Sequence, residues 1–284
     1  MVLTCCKYRE AYDDSVLCAS SVHLRRFGRF TRNLRFARFP PPAGDTLPSP
    51  SYLASMKNVI ITGANGNLGT AVTKTFVDKG YHVIATVAEH KMSKDITAHD
   101  NIQVNVVNLE HEEEASAFVD KAIKENGQIE AALLLVGGFT AGNIAKTSIV
   151  DVHAQIALNF NTAFNVAKPV FAHMLEKGNG RIVFIGSKPA LEASAGKNVI
   201  AYGLSKTLLF KFAEYLNADA KGKNVVATVV VPSTIDTELN RKSMPDVDPG
   251  KWVKASALAE ILEFVVSEKG TPLRETVLKV YNNA

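Results

Sequence analysis

Cysteine is scarce in this 284-residue chain, and all three, Cys5, Cys6 and Cys18, fall within the first 55 residues. Residues 56–284 therefore have no disulfide, thiolate metal site or cysteine nucleophile open to them. His90, His99, His111, His153 and His173 show no metal-ligand spacing, so no metal is expected. Long apolar runs are also missing. None nears the ~20 residues that a membrane-spanning helix needs, and no membrane association is expected. Net charge is missing from most of the chain. The formal +4 is carried entirely by residues 1–55, which hold eight Lys/Arg against four Asp/Glu, and the remainder balances. A balanced surface gives no footprint for nucleic acid.

With 46% hydrophobic and 21% charged residues, the composition is that of a globular protein with one sizeable α/β core. Residues 1–55 are read apart from it, as a disordered basic extension. Residues 15–44 contain no acid, alternate Arg with Phe, and run into Pro40–Pro42, which is the composition of an organelle-targeting segment. Against this, Glu10, Asp13 and Asp14 sit near the start, and Met56-Lys57-Asn58-Val59 would itself open a compact domain. The readings weighed are a targeting segment for a plastid or mitochondrion, an unstructured or non-native upstream stretch on a cytoplasmic protein, and, least favoured, a basic arm for anionic partners.

The strongest signal is the run Lys57 to Asp78. Val59, Ile60 and Ile61 form a short apolar run typical of a parallel strand covered on both faces. Gly63, Gly66 and Gly69 follow at three-residue spacing and lead into a helical pattern. Such glycines let the chain turn tightly, let a pyrophosphate approach main-chain N–H groups, and let the helix pack on its strand. This is the chemistry of a nucleotide-phosphate cradle; glycine spacing without the flanking strand and helix would mark only a loop.

Further strands are predicted over 81–87, 102–107, 131–136, 181–185, 225–231 and 277–281, and helices over 112–125, 150–176, 201–218 and 256–267. Seven buried-type strands separated by helices predict a Rossmann-type doubly wound seven-stranded parallel sheet as one domain, residues 56–284, with nucleotide at the carboxyl ends of the strands.

Tyr202 and Lys206 stand at i and i+4, so on a helix phenol and ammonium share a face. A neighbouring cation is expected to pull the phenol down from ~10, as suits a general acid for a carbonyl. Ser187 ends the fifth strand, where a turn or N-cap serine is the plain alternative. Asn159 falls mid-helix, where Asn is unfavourable; buried there it predicts a kink and a held water, with Asn161 as its rival and a solvent-facing Asn as the plain alternative.

Thr62-Gly63-x-x-Gly66-x-x-Gly69, Asn159, Ser187 and Tyr202-x3-Lys206, in this order, resemble the short-chain dehydrogenase/reductase family over residues 56–284. The resemblance implies an NAD(P)-dependent oxidoreductase that moves hydride between nicotinamide and a carbonyl or alcohol. It implies Tyr202 as general acid/base, Lys206 on the nicotinamide ribose, Ser187 orienting the substrate and Asn159 holding a relay water. Cofactor contacts implied are Thr62, Gly63, Asn65, Gly66, Asn67, Leu68, Gly69, Asn108, Leu109, Gly137, Lys206, Pro232, Thr234 and Thr237. A homodimer or homotetramer joined through the helices carrying Asn159 and Tyr202 is implied as well.

The sequence departs from the common family pattern in three places, one of them the Ser187-to-Tyr202 gap, slightly long at 15 residues. The middle glycine stands at Gly66 where the family has it at the position of Asn67, and Leu134-Leu135-Val136-Gly137 replaces the usual Asn-Asn-Ala-Gly. A narrower resemblance, to dihydropteridine reductases within the same family, rests on Val136-Gly137-Gly138-Phe139, Gly142-Asn143 and Asp236-Thr237 with Asn240 to Pro245. Those enzymes lack the serine and asparagine present here. A non-catalytic dinucleotide sensor and an isomerase-like use of the cradle also stay open. After the second strand, Glu89 with His90, Lys91 and Lys94 leans the coenzyme toward NADP over NAD. Phe139, Met244 and Trp252 are read as pocket walls or core fillers, and residues 233–252 as a lid or a plain surface excursion.

Overall fold

The glycine-rich run opens the fold as the pattern predicts. In the computed structural model, which describes residues 56–88, 99–274 and 276–283, β1 (Asn58–Thr62) passes through the turn into α1 (Gly69–Asp78). Then follow β2 (His82–Val87), β3 (Ile102–Val106), α2 (Glu112–Asn126) and β4 (Ala131–Leu134). The readings made on residues 1–55, and on Glu89, His90, Lys91 and Lys94, lie outside the described residues.

The helix predicted over 150–176 is interrupted. α3 (Ile149–Ile156) runs into a π-helical turn at Ala157–Asn161 before α4 (Thr162–Lys177). One wide turn rotates the side chains that follow relative to a regular helix, and Asn159 at its centre is completely buried. This is the predicted irregularity. α3 starts cleanly because Ser148 and Asp151 form a reciprocal capping box.

β5 (Asn179–Ile185), the short helices α5 (Lys188–Leu191) and α6 (Ala193–Gly196), α7 (Ile200–Asp219) and β6 (Asn224–Pro232) complete the second half. The stretch 233–252, expected as a lid or excursion, contains β7 (Ile235–Asp236) and α8 (Glu238–Ser243). β7 pairs in parallel with β8 (Val253–Lys254), a two-residue pairing too short to leave a pattern in the sequence. α9 (Ala255–Val266) and β9 (Val277–Val280) end the chain.

The main sheet has seven strands in the order β3-β2-β1-β4-β5-β6-β9, every neighbouring pair parallel. The strand order reverses between β1 and β4, which opens a crevice at the carboxyl ends of these strands. Alternation sorts the strand residues between two layers. Val59, Ile61, Val83 and Val183 pack with α1 and α9, whereas Ile60, Ile84, Ile182 and Phe184 pack with α2, α4 and α7. Each of these side chains is fully buried and contributes roughly 1.5–3 kcal/mol on removal from water. Trp252 is 4% exposed and is a core filler.

Candidate active site

A cleft of about 980 Å³ opens at the reversal point. Gly63, Asn65, Gly66, Asn108, Leu109 and Gly137 line it. Thr86, Val87 and Ala88 at the end of β2, with Glu110, Glu114, Gly138, Leu158 and Thr162, also line it; sequence reasoning did not single these out as cofactor contacts.

Two glycines of the turn are required by geometry. Gly63 has φ +64°, and a Cβ there would lie 3.1 Å from Val136 Cγ2. A Cβ on Gly69 would lie 2.0 Å from the Gly63 carbonyl oxygen, so the helix can approach its strand only through glycine. Gly66 keeps an ordinary φ and closes a turn by donating N–H to the Gly63 carbonyl at 2.9 Å. The unusual place of the middle glycine is thus a local variant of the turn. α1 carries no acid in its first turn, which leaves the partial positive charge of its N-terminus uncompensated for an anionic phosphate. The cradle fits a dinucleotide.

The other expected contacts sit differently. Thr62 is buried and its hydroxyl accepts the Leu135 N–H at 3.0 Å, bracing β4 against β1. It takes over part of the role of the missing Asn-Asn pair. Asn67 is exposed, Leu68 packs on the core, and neither lines the cleft. Pro232 is buried at the end of β6, the Thr234 carbonyl accepts the Val253 N–H, and Thr237 caps α8 by accepting the Asn240 N–H. None of these three borders the cleft.

Ser187 lies beside Tyr202, and Lys206, one turn farther along α7, brings its Nζ close to Gly137. Ser187 occupies the N-cap position of α5, yet its side chain caps nothing. It is 5% exposed, and its Oγ is one of two buried side-chain atoms left without a hydrogen-bond partner among the described residues. The plain N-cap account therefore fails. Its hydroxyl lies near enough to the Tyr202 phenol to draw the phenol pKa down in part, without reaching hydrogen-bond geometry.

Burial nevertheless pushes the Tyr202 phenol above its ordinary value, which reverses the direction expected from the Tyr-Lys pair. The cause is burial of the phenol itself, and Lys206 is sealed in as well. It is 5% exposed, donates from Nζ to the Ile185 carbonyl at 2.9 Å, and is lowered by burial to about 8. Dehydration dominates at each group.

Asn159 is held on all sides. Its Oδ1 accepts the Gly138 N–H at 3.0 Å, and its Nδ2 faces the Gly138 carbonyl, Gln155 Oε1 and Ser205 Oγ, each at 3.1 Å. Asn161 lies at the end of the same π turn and is exposed. Gln155 and Ser205, both buried, were missed by sequence reasoning. Gln155 stands one turn before Asn159, a spacing that could have flagged it; Ser205 hides among the unspecified positions of Tyr202-x3-Lys206. Phe139, 65% exposed, stands with its ring edge-on to Tyr202 at 5.2 Å. Among the described residues, no group of three or more His, Cys, Asp or Glu is placed to hold a metal ion, and no helix is long and apolar enough to cross a membrane.

Comparison with known proteins agrees with this geometry. A family model described as short chain dehydrogenase matches residues 57–248. An acetoacetyl-CoA reductase of Acinetobacter sp. (strain RA3849) is 26% identical over 243 residues, covering 80% of this chain and 97% of the relative. A dihydropteridine reductase of Dictyostelium discoideum is 27% identical over 229 residues, covering 78% and 94%. Among solved structures, ElxO with NADP bound superposes with a TM-score of 0.74 at 22% identity, over 79% of this chain and 97% of that one, a likeness of fold.

Proposed function

The chain belongs to the short-chain dehydrogenase family, an NAD(P)-dependent oxidoreductase family, and from that premise we propose that it reduces a carbonyl, or oxidises the matching alcohol, with Tyr202 as general acid/base. The observation that carries this reading is Ser187 Oγ: buried, unsatisfied, and beside the Tyr202 phenol. A buried hydroxyl without a partner costs about 1–3 kcal/mol, and a substrate carbonyl oxygen would relieve that cost.

The cradle of Gly63, Asn65 and Gly66 would hold the dinucleotide, with the nicotinamide end toward Gly137. The nicotinamide, when bound, supplies or accepts the hydride. Tyr202, raised by burial, holds its proton at neutral pH and gives it to the carbonyl oxygen as negative charge develops there. Ser187 donates a hydrogen bond to the same oxygen. The Lys206 ammonium, one turn along α7, stabilises the phenolate that remains. Asn159 has its amide engaged by Gly138, Gln155 and Ser205, so a relay water would use its remaining Oδ1 lone pair or main-chain carbonyl.

NADP is favoured over NAD by Lys91 and Lys94 in the sequence. The exposed Leu204, Leu208 and Tyr215 on α7 support pairing with a second copy, which size-exclusion chromatography with light scattering would detect. A second substrate reading, a quinonoid dihydropterin, is favoured by the Dictyostelium relative and by Phe139 beside Tyr202.

The test is consumption of NADPH and NADH against a panel of simple ketones, 3-oxoacyl thioesters and quinonoid dihydropterin, with Tyr202→Phe alongside. Turnover that disappears in Tyr202→Phe supports the reading. Tight dinucleotide binding without turnover of any compound would favour a sensor.

A further inference from the structure

Gln155 is 6% exposed and bonded at both ends of its amide. Its Oε1 accepts from Asn159 Nδ2 at 3.1 Å, and its Nε2 donates to Thr140 Oγ1 at 3.1 Å. The direction of this chain of bonds is set by the backbone. Gly138 presents an N–H and a carbonyl to one carboxamide, so Asn159 must turn Oδ1 to the first and Nδ2 to the second. Its Nδ2 then requires an acceptor from Gln155, which fixes the Gln155 amide and aims Nε2 at Thr140. On the other side Ser205 Oγ accepts from Asn159 and donates to the Tyr202 carbonyl at 2.8 Å.

The bonds to Gly138 and Thr140 fall on either side of Phe139. The same loop is tied farther on, where Gly142 donates its N–H to the Asn198 carbonyl and its own carbonyl accepts the Ile200 N–H just as α7 begins. A large apolar ring that is 65% exposed is thereby held in one place against Tyr202. Nothing in core packing calls for a buried amide at position 155 to reach an exposed hydroxyl.

We propose that Gln155 is a positioning residue for the reaction: through Thr140 and Asn159 it locks the loop 138–140 and so sets Phe139 against Tyr202. The proposal rests on the role of Tyr202 given above. Gln155 acts through other residues, and a small displacement of a group that orients substrate lowers turnover without unfolding the protein.

The test uses the full chain with Gln155→Leu, Thr140→Val, Thr140→Ser, the double variant Gln155→Leu/Thr140→Val, and Tyr202→Phe. Thr140 is exposed, so its variants leave the core intact. Gln155→Leu and Thr140→Val are expected to lower kcat about 10- to 100-fold while dinucleotide Kd changes less than about threefold. Thr140→Ser, which keeps the acceptor, should stay within about threefold of wild type, and the double variant should be no worse than the poorer single one. Wild-type kcat in Thr140→Val, additive losses, or a fall explained by a lower folded fraction would overturn the proposal. If Tyr202→Phe retains turnover, the reading of the site itself fails, whatever Gln155 does.

Discussion

Lys206 Nζ hydrogen-bonds the carbonyl of Ile185 at the end of β5, two residues before Ser187. The bond ties α7 to the strand that delivers the serine, and it keeps an ammonium in a dry place, with a pKa of about 8 in place of 10.5. Between those values the unfolded chain binds a proton that the folded chain has released, so stability of the dinucleotide-free protein rises with pH across this window. Below it the folded state bears the whole cost of the buried charge, about 3 kcal/mol. Lys206→Met should therefore be the more stable protein at about pH 7, by less than that figure because the Ile185 carbonyl loses a donor worth ~1 kcal/mol. The advantage should shrink toward pH 10, and activity should be lost throughout. Urea denaturation at both ends of the window checks this; a difference independent of pH would rule out a charged Lys206.

Ser187→Ala separates stability from function. Removing a buried hydroxyl that has no partner should leave stability unchanged or raise it by about 1 kcal/mol. In the role proposed for it, the same change also removes a donor to the developing oxyanion, and kcat should fall on the order of 10²–10³-fold. A marked loss of thermal stability in Ser187→Ala would mean that the hydroxyl serves the fold after all.

Much of this architecture was legible in the residues. Strands such as Val59–Ile61 and helices such as 201–218 announce themselves by burial on both faces or by helical periodicity, because those patterns answer to local chemistry. A kink at Asn159 was legible for the same reason, since a buried Asn has to be housed somewhere. What stayed hidden depends on meetings between distant segments. Thr62 bracing Leu135, and Gln155 reaching Thr140, become visible only when β1, β4 and α3 converge. The raised Tyr202 runs against expectation because spacing reveals that a lysine is near but not that both groups are dehydrated.

Gly137 leaves no room for a side chain. A Cβ there would lie 2.6 Å from Asn159 Oδ1 and 3.0 Å from Lys206 Nζ, two groups fixed by other bonds and unable to yield cheaply. Gly137→Ala should cost about 1–3 kcal/mol by overpacking and lower turnover together with dinucleotide affinity. Gly138→Ala is the comparison: its Cβ would meet the end of the Leu158 side chain at 2.5 Å, which can rotate away, so the loss should be smaller. Equal losses in the two variants would argue against the rigidity assigned to Asn159 and Lys206.

Acid sensitivity should arise far from the site, at His173. Its Nε2 accepts the Ile129 N–H at 3.2 Å, which requires the neutral ring, and the side chain is 7% exposed. Burial, with help from Lys177, holds its pKa below the ordinary 6.5. As pH falls below that ordinary value the unfolded chain takes up its proton first, so the contribution of His173 is complete above it and is lost as pH drops through the folded pKa. Once protonated, Nε2 becomes a donor facing a donor, and about 1–3 kcal/mol goes with the broken bond. His173→Gln keeps an acceptor that cannot titrate. Its melting temperature should be lower than wild type near neutrality, because the amide fits the ring's place imperfectly, but should decline less on acidification. Parallel acid declines in the two proteins would place the acid-labile group elsewhere; Glu130 would not be it, because burial holds its carboxyl above the ordinary value and acid favours its folded form.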